Sequence, residues 1–337
     1  MVSYIVRKLF WAIPTLLGVS LLVFLMVHFI PGDPVLALTP KGATEEYRRQ
    51  LRRELGLDRP LYEQYFRFIG RAIRGDFGRS VQSSRPVMEE FWQRFPATLE
   101  LSLVSMFLAV LLGVGVGIIS AVWRNTWLDY LSMTGALAGV SMPVFWLGLV
   151  LIYFFSFKLG WFPVSGRISS YVLLELPEPV TGLLMVDTLL VGDMEAFRSA
   201  LSHLVLPSLA LSTIPMAIIA RMTRASMLEV LQAEYIKTAR AKGCSSWRVI
   251  FVHALRNALI PVVTVIGLML GSLLAGAVLT ETTFSWPGVG KWVVDAVQQR
   301  DYPVIQAATL MISCIFILLN LGVDVLYAWI HPEIRYT

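Results

Sequence analysis

Charged side chains are scarce in this sequence: Asp, Glu, Lys and Arg make up 15% of its 337 residues, against 56% hydrophobic ones. The mean hydropathy is +0.67. Length alone would allow two soluble domains, but a soluble chain of this composition would leave too much apolar surface in water. An excess of basic charge is also missing. The 28 Lys and Arg against 23 Asp and Glu give a net charge of +5, too modest for a nucleic-acid partner. Cysteine occurs twice, as Cys244 and Cys314 in unlike surroundings, so no disulfide framework is supported and each reads as a small apolar filler.

Reactive motifs are missing too. The phosphate-binding pattern G-x-x-x-x-G-K-[ST] does not occur: the Gly290-Lys291 pair has Ser285 where the first glycine belongs and Trp292 where Ser or Thr belongs, so the chain does not hydrolyse ATP by itself in the usual way. There is no H-E-x-x-H, and His28, His203, His253 and His331 are scattered without ligand spacing, which argues against a metal site. Gly139-Val140-Ser141 resembles the start of a nucleophile elbow but lacks its second glycine, so an intramembrane hydrolase has little support. Gly113, Gly115 and Gly117 follow no strand, and Gly113-x-x-x-Gly117 reads as a small-residue face that lets another helix approach closely.

Long apolar runs are present. Stretches without Asp, Glu, Lys or Arg that reach the roughly 20 residues needed to cross a hydrocarbon core occur at 9–30, 101–123, 131–157, 199–220, 258–280 and 304–323. They predict an all-α membrane protein with six transmembrane helices, since a helix pairs its backbone groups within one segment where no water is available. The first run is too long for a secretory signal and no small-residue cleavage site follows, so it reads as a retained helix. The run at 182–192 is short and carries Asp187, and reads as interfacial or re-entrant. With the N-terminus inside, eleven basic residues fall on the cytoplasmic side and five on the two shorter outside loops. The segment after the first helix is long enough to escape that rule. The expected organisation is a cytoplasmic N-terminus and first helix (1–30), an extracytoplasmic segment (31–98), a five-helix block (99–330) and a cytoplasmic tail (331–337).

In the outside segment, Pro31-Gly32-Asp33-Pro34 stops the first helix, Thr44 caps a new one that opens with Glu45 and Glu46, and Gly56 ends it. A second amphipathic stretch over 60–74 sets Leu61, Tyr65, Phe66, Ile69 and Ile73 near one face, with Arg67, Arg71 and Arg74 towards the other. It is expected to lie flat on the membrane or on a partner subunit.

The one long cytoplasmic connection spans 225–257. Glu234, Tyr235, Thr238, Ala239, Arg240, Ala241 and Lys242 read as a helix ending at Gly243, followed by a turn with Ser245 and Ser246 as possible caps and a new helix near Trp247. Two short helices meeting at a glycine make a rigid knob. Its small residues suit a partner's groove, and Lys237, Arg240 and Lys242 suit an acidic rim.

This connection resembles the EAA loop of ATP-binding-cassette (ABC) importer permeases, in the version found in the dipeptide and oligopeptide family. The resemblance extends over nearly the whole chain, including Ile30-Pro31-Gly32-Asp33-Pro34, the long outside segment, Glu234 to Pro261, and Glu281-Thr282-Thr283-Phe284-Ser285-Trp286-Pro287-Gly288-Val289-Gly290. Where the general pattern reads Glu-Ala-Ala before its glycine and Ile-x-Leu-Pro later, this chain has Lys237-Thr238-Ala239 before Gly243 and His253-Ala254-Leu255-Arg256 afterwards. That departure is what the peptide branch resembles, with Glu234 supplying an acid upstream, and the likeness is greatest to the B-type dipeptide permeases.

The resemblance implies a type I ABC importer permease fold over 99–330, in the bacterial cytoplasmic (inner) membrane. It implies a homologous second permease subunit, two ABC ATPase subunits that hold ATP and Mg, and an extracytoplasmic peptide-binding protein. This chain is then expected to have no catalytic residue, cofactor or metal of its own and to couple to the ATPases through Glu234, Tyr235, Thr238 to Gly243, and Trp247. Related permeases are expected to carry oligopeptides, glutathione, nickel or haem. The rival from another class is a self-sufficient secondary transporter, for which internal repeats and a midplane acid or histidine relay would be expected.

Among polar residues in the spans, Asp324 needs a partner, and Arg221 at comparable depth is the expected ion-pair or gate contact. Glu281 and Asp295, near the outer end of the fifth span and the loop beyond it, are read either as contacts for a binding protein or a peptide amine or as ordinary solvated residues of the interface. Pro143 and Trp146, with Pro207 and Pro215, mark places where backbone hydrogen bonding is interrupted and a cavity or hinge can form. Pro143, Trp146 and Met216 are the candidates for lining a pathway.

Overall fold

The computed structural model describes residues 2–29, 44–54, 58–174, 177 and 179–330. The expected stop at Pro31–Pro34, the Gly56 terminus and the tail 331–337 lie outside the described residues. In chain order the helices are α1 (Val2–Phe29), α2 (Glu45–Glu54), α3 (Leu61–Ile73), α4 (Val87–Val122), α5 (Trp127–Ser141) and α6 (Val144–Leu151), which runs on as a π-helical stretch Ile152–Lys158. Then follow α7 (Leu184–Val191), α8 (Met194–Leu231), α9 (Glu234–Ala241), a π-helical turn Val249–Ala254, α10 (Leu255–Gly276), α11 (Val278–Thr283), α12 (Val289–Gln299) and α13 (Tyr302–Ile330). Among the described residues no strand forms, and Arg79 with Pro86 makes one isolated bridge.

Four helical segments among the described residues are long and apolar enough to cross a membrane: Val87–Val122, Met194–Leu231, Arg248–Leu274 and Tyr302–Val323. The pair α5 and α6 with its π-helical continuation raises this to five if it is one span, bent by 105°. The expected span at 131–157 is thus bent, at the proline where the sequence places an interruption. Pro143 has no N–H to give the preceding turn, and its ring drives Met142 into an extended conformation at φ −97°, ψ 134°. In α1 the apolar stretch is Phe10–Met26.

Two helices overrun their expected ends. α4 starts at Val87 rather than near residue 101, because Glu89, Glu90 and Arg94 interrupt the apolar run without interrupting the helix. α8 starts at Met194, since the Asp193 side chain accepts from the N–H groups of Glu195 and Ala196 at 3.0 and 2.9 Å. At 1.5 Å per residue the 38 residues of α8 reach about 57 Å, well beyond a hydrocarbon core of about 30 Å.

The chain forms two compact units, Met1–Pro96 with Gly288–Thr337, and Ala97–Pro287. In the first, α1 and α3 meet through Phe24, whose ring lies 5.4 Å from Tyr65 and 6.2 Å from Phe68, while the Ser20 and Tyr65 hydroxyls share a hydrogen bond of 2.8 Å. Phe68 is the buried residue of α3, and Phe66 and Ile73 of the expected apolar face stay exposed. A second core gathers Val87, Phe91, Trp292, Val304 and Ala307. Asp301 is buried beside it and accepts from the Ser80 hydroxyl at 2.5 Å and the Gln82 N–H at 3.2 Å.

In the second unit α4 and α8 lie close, as the Gly113-x-x-x-Gly117 spacing predicts. A Cβ on Gly113 would sit 2.7 Å from the Met216 carbonyl oxygen, and one on Gly117 2.5 Å from Thr223 Cβ and 2.7 Å from the Ala220 carbonyl oxygen. Only hydrogen fits there. Gly117→Ala is therefore expected to lower stability by about 1–3 kcal/mol. Gly115→Ala, which faces open space, should be neutral or slightly stabilising. Thermal unfolding of both variants in one detergent checks this, and equal shifts would mean that close approach is not what Gly117 provides.

Candidate functional site

The connection after α8 is built by its own backbone chemistry. α9 ends in a residue pattern that closes on glycine: Gly243 adopts φ +79°, its N–H donates to the Arg240 carbonyl at 2.9 Å, and the Cys244 N–H donates to the Ala239 carbonyl at 3.2 Å. This is a Schellman motif with Gly243 in the left-handed position, and the accompanying apolar contact is that of Ala239 and Cys244, which join the same cluster. Ser245 stands in the N-cap position of the next turn, Ser246–Arg248, with extended backbone and no side-chain capping bond.

What holds this turn against the helices is Ile236. It is fully buried with Ala121, Met227, Val249, Ala254 and Ala258. Around it the Asn257 amide donates to the Tyr235 hydroxyl at 2.7 Å, Lys237 pairs with Glu234 at 2.7 Å, and the Trp247 and Phe251 rings lie 3.9 Å apart between centroids. Outward, Trp247 is 69% exposed and Val252 53%. Thr238, Arg240, Ala241, Lys242 and Gly243 are exposed as well. The result is a small knob, buried at Ile236, that presents an apolar rim and cations.

A buried ion pair stands near this end of the second unit, and the sequence reading did not pick it out. Asp129, 3% exposed, receives Arg224 Nε at 2.9 Å on Oδ1 and Nη2 at 2.8 Å on Oδ2. It also accepts from the Ser120 hydroxyl and, at 3.0 Å, from the Asn125 N–H. The bidentate geometry ties α4, α5 and α8 together. Arg221 is exposed. Asp324 falls in α13 with its side chain outside the described residues, so the expected Arg221 contact lies outside them too.

At the other end of the second unit, Glu100 accepts from Arg167 Nε and Nη2 at 3.1 and 2.5 Å and from the Met185 N–H at 2.6 Å, while Arg167 Nη2 also donates to the Gly182 carbonyl at 2.8 Å. Asp187 of the short run at 182–192 turns inward and accepts from the Thr181 and Gly182 N–H groups at 2.8 and 2.9 Å. Glu281 is fully buried and accepts from the Thr98 hydroxyl at 2.6 Å, so it is not the exposed contact for a binding protein that its position suggested. Asp295 pairs with Lys291 on its own helix at 2.8 Å. Of the pathway candidates, Pro143 and Trp146 are exposed at the α5–α6 break, whereas Met216 packs against the Leu101–Ile219 core.

Residues 113–336 match the family described as the binding-protein-dependent transport system inner membrane component. Residues 1–102 match the description of its N-terminal membrane component. The chain belongs to this family. Among its curated relatives, the dipeptide transport system permease protein DppB of Escherichia coli K12 is 50% identical over 100% of this chain and 99% of its own. The di/tripeptide transport system permease protein DppB of Pseudomonas aeruginosa UCBPP-PA14 is 51% identical over the same shares. The glutathione transport system permease protein GsiC of Escherichia coli O1:K1 is 47% identical over 100% of both chains. A solved amino acid ABC transporter aligns over 73% of this chain and 94% of that chain, with a TM-score of 0.47 and 14% identity.

As a binding-protein-dependent inner membrane component, the chain is a non-catalytic permease subunit. Membership in the family carries a substrate-binding protein and an ATPase as partners.

Proposed function

We propose that this permease imports dipeptides, as the B-type subunit of an ABC importer, with the α9–Trp247 knob seated on an ATPase subunit. The observation that carries the reading is identity of about half, end to end, to dipeptide permeases of two genera. In this reading α1 and the bent α5–α6 pair complete six spans, the N-terminus is cytoplasmic, and residues 31–98 are extracytoplasmic. A homologous permease forms the other half of the pathway. Two ATPases hold ATP and Mg, and a peptide-binding protein delivers the substrate. ATP biases the inward-open and outward-open states only through its unequal affinity for them, and the knob is where that bias enters this chain.

The test is to extract a tagged copy in mild detergent, identify what co-purifies, and assay ATP hydrolysis with dipeptide-loaded, glutathione-loaded and empty binding protein. Recovery of a second permease and two ATPases, with hydrolysis stimulated by dipeptide, is expected. Stimulation by glutathione alone would keep the machinery and change the substrate. A chain that purifies alone and moves substrate on an ion gradient would replace the reading with a secondary transporter.

A further inference from the structure

Two cavities of the first unit adjoin and differ in chemistry. One, of about 550 Å³, is almost wholly apolar and runs between Leu16 and Leu17 of α1, Ile69 and Ile73 of α3, and Leu310 and Leu318 of α13. The other, of about 540 Å³, mixes Arg71, Asp76, Arg79, Ser84 and Gln306 with apolar walls from Phe68 and Val81. Phe77 forms a wall of both.

Their order along α13 follows the membrane. Pro303 and Gln306, in the first turns of that helix, line the polar cavity, and Leu310, Cys314 and Leu318, progressively farther along it, line the apolar one. From Gln306 to Leu318 the helix rises about 18 Å, comparable to half of a hydrocarbon core of about 30 Å. Polar space therefore lies at the end of an apolar helix and apolar space within a leaflet's depth of it, which is the polarity of one amphiphile standing in one leaflet.

The polar cavity prefers an anion. Its carboxylate, Asp76, already accepts from the Gly78 N–H at 3.0 Å. Arg79 donates through Nη1 to the Ser84 carbonyl at 2.7 Å and keeps further N–H groups, and Arg71 on the adjacent face of α3 adds a second, exposed guanidinium. Two arginines against one engaged carboxylate suit a phosphate, which guanidinium groups meet with paired donors. An apolar helix of another subunit would suit the apolar cavity but would meet the two guanidinium groups only if it carried an acid at its end.

We propose that this pair of cavities is a binding site for a single anionic phospholipid, with an acyl chain between α1, α3 and α13 and its phosphate on Arg71 and Arg79. The test uses the assembled transporter, first in native mass spectrometry and then stripped of lipid and titrated with phosphatidylglycerol or phosphatidylethanolamine. One anionic phospholipid retained per copy, and phosphatidylglycerol bound at least tenfold more tightly, are expected. The surface variant R71Q/R79Q should lose that preference, and A72W, at a residue that also lines the apolar cavity, should fill it and lose retention. The proposal is overturned by equal binding of the two lipids to the unaltered transporter, by a preference that survives R71Q/R79Q, or by a partner helix cross-linked to Cys314.

Discussion

Arg224→Ala is expected to lower stability by about 3 kcal/mol, because removing one partner of a buried pair leaves an uncompensated charge. Asp129 would keep only the Ser120 hydroxyl and the Asn125 N–H in a site where its side chain is 4% exposed. Arg224 itself is 30% exposed at the side chain, so water relieves part of the loss and the figure belongs at the lower end of the range for buried pairs. Arg221→Ala, an exposed position one turn away, should change stability by less than about 0.5 kcal/mol. Replacing both members, Arg224→Leu with Asp129→Leu, should recover much of the loss, since an apolar pair of similar volume can substitute for a buried ionic one. Thermal unfolding of these three variants and of the two single leucine variants in matched detergent decides it. Losses that simply add in the double variant would mean that the two side chains do not stabilise each other.

Gly243→Val is expected to cut ATP-coupled uptake at least tenfold while the protein still reaches the membrane. A side chain at φ +79° costs about 1–2 kcal/mol for an L-residue, more when branched at Cβ. Leaving that conformation also breaks the N–H bonds from Gly243 and Cys244 that finish α9. Space is not the obstacle in the isolated chain, since a Cβ there meets nothing within 4 Å. Gly243→Asn separates backbone from contact: asparagine tolerates the left-handed region, so uptake near that of the unaltered protein identifies the turn as what matters. If asparagine is as harmful as valine, the open space around Gly243 is where a partner sits. Full uptake with valine would remove the turn from the mechanism.

The parts of this molecule that follow from local rules were legible in the residues alone. Gly243 after a short helical stretch, and two glycines four apart in an apolar run, each have one economical structural meaning, and both meanings are found. The ends of the long helices were not legible, because hydropathy marks where a chain is apolar and α4 and α8 continue as helix through charged turns. The Asp129–Arg224 pair was equally hidden, because its members lie 95 residues apart and only the tertiary fold brings them together. A signal existed: Asp129 is the single acid between Glu100 and Glu175, two residues before an apolar run, and an acid so placed needs a partner. Glu281 misled for the opposite reason, as its place near a span end gave no hint that Thr98 and the surrounding core enclose it.

The two prolines within α8, Pro207 and Pro215, divide that helix into arms of different length. Below Pro215 the sixteen residues to Leu231 form an arm of about 24 Å, and a tilt of about 10° there carries its tip through about 4 Å. Because Met227 near that tip shares a buried cluster with Ile236, the knob travels with the arm. Under the proposed coupling, the spacing of Pro215 from Ile236 would set how far the knob moves for a given tilt of this arm.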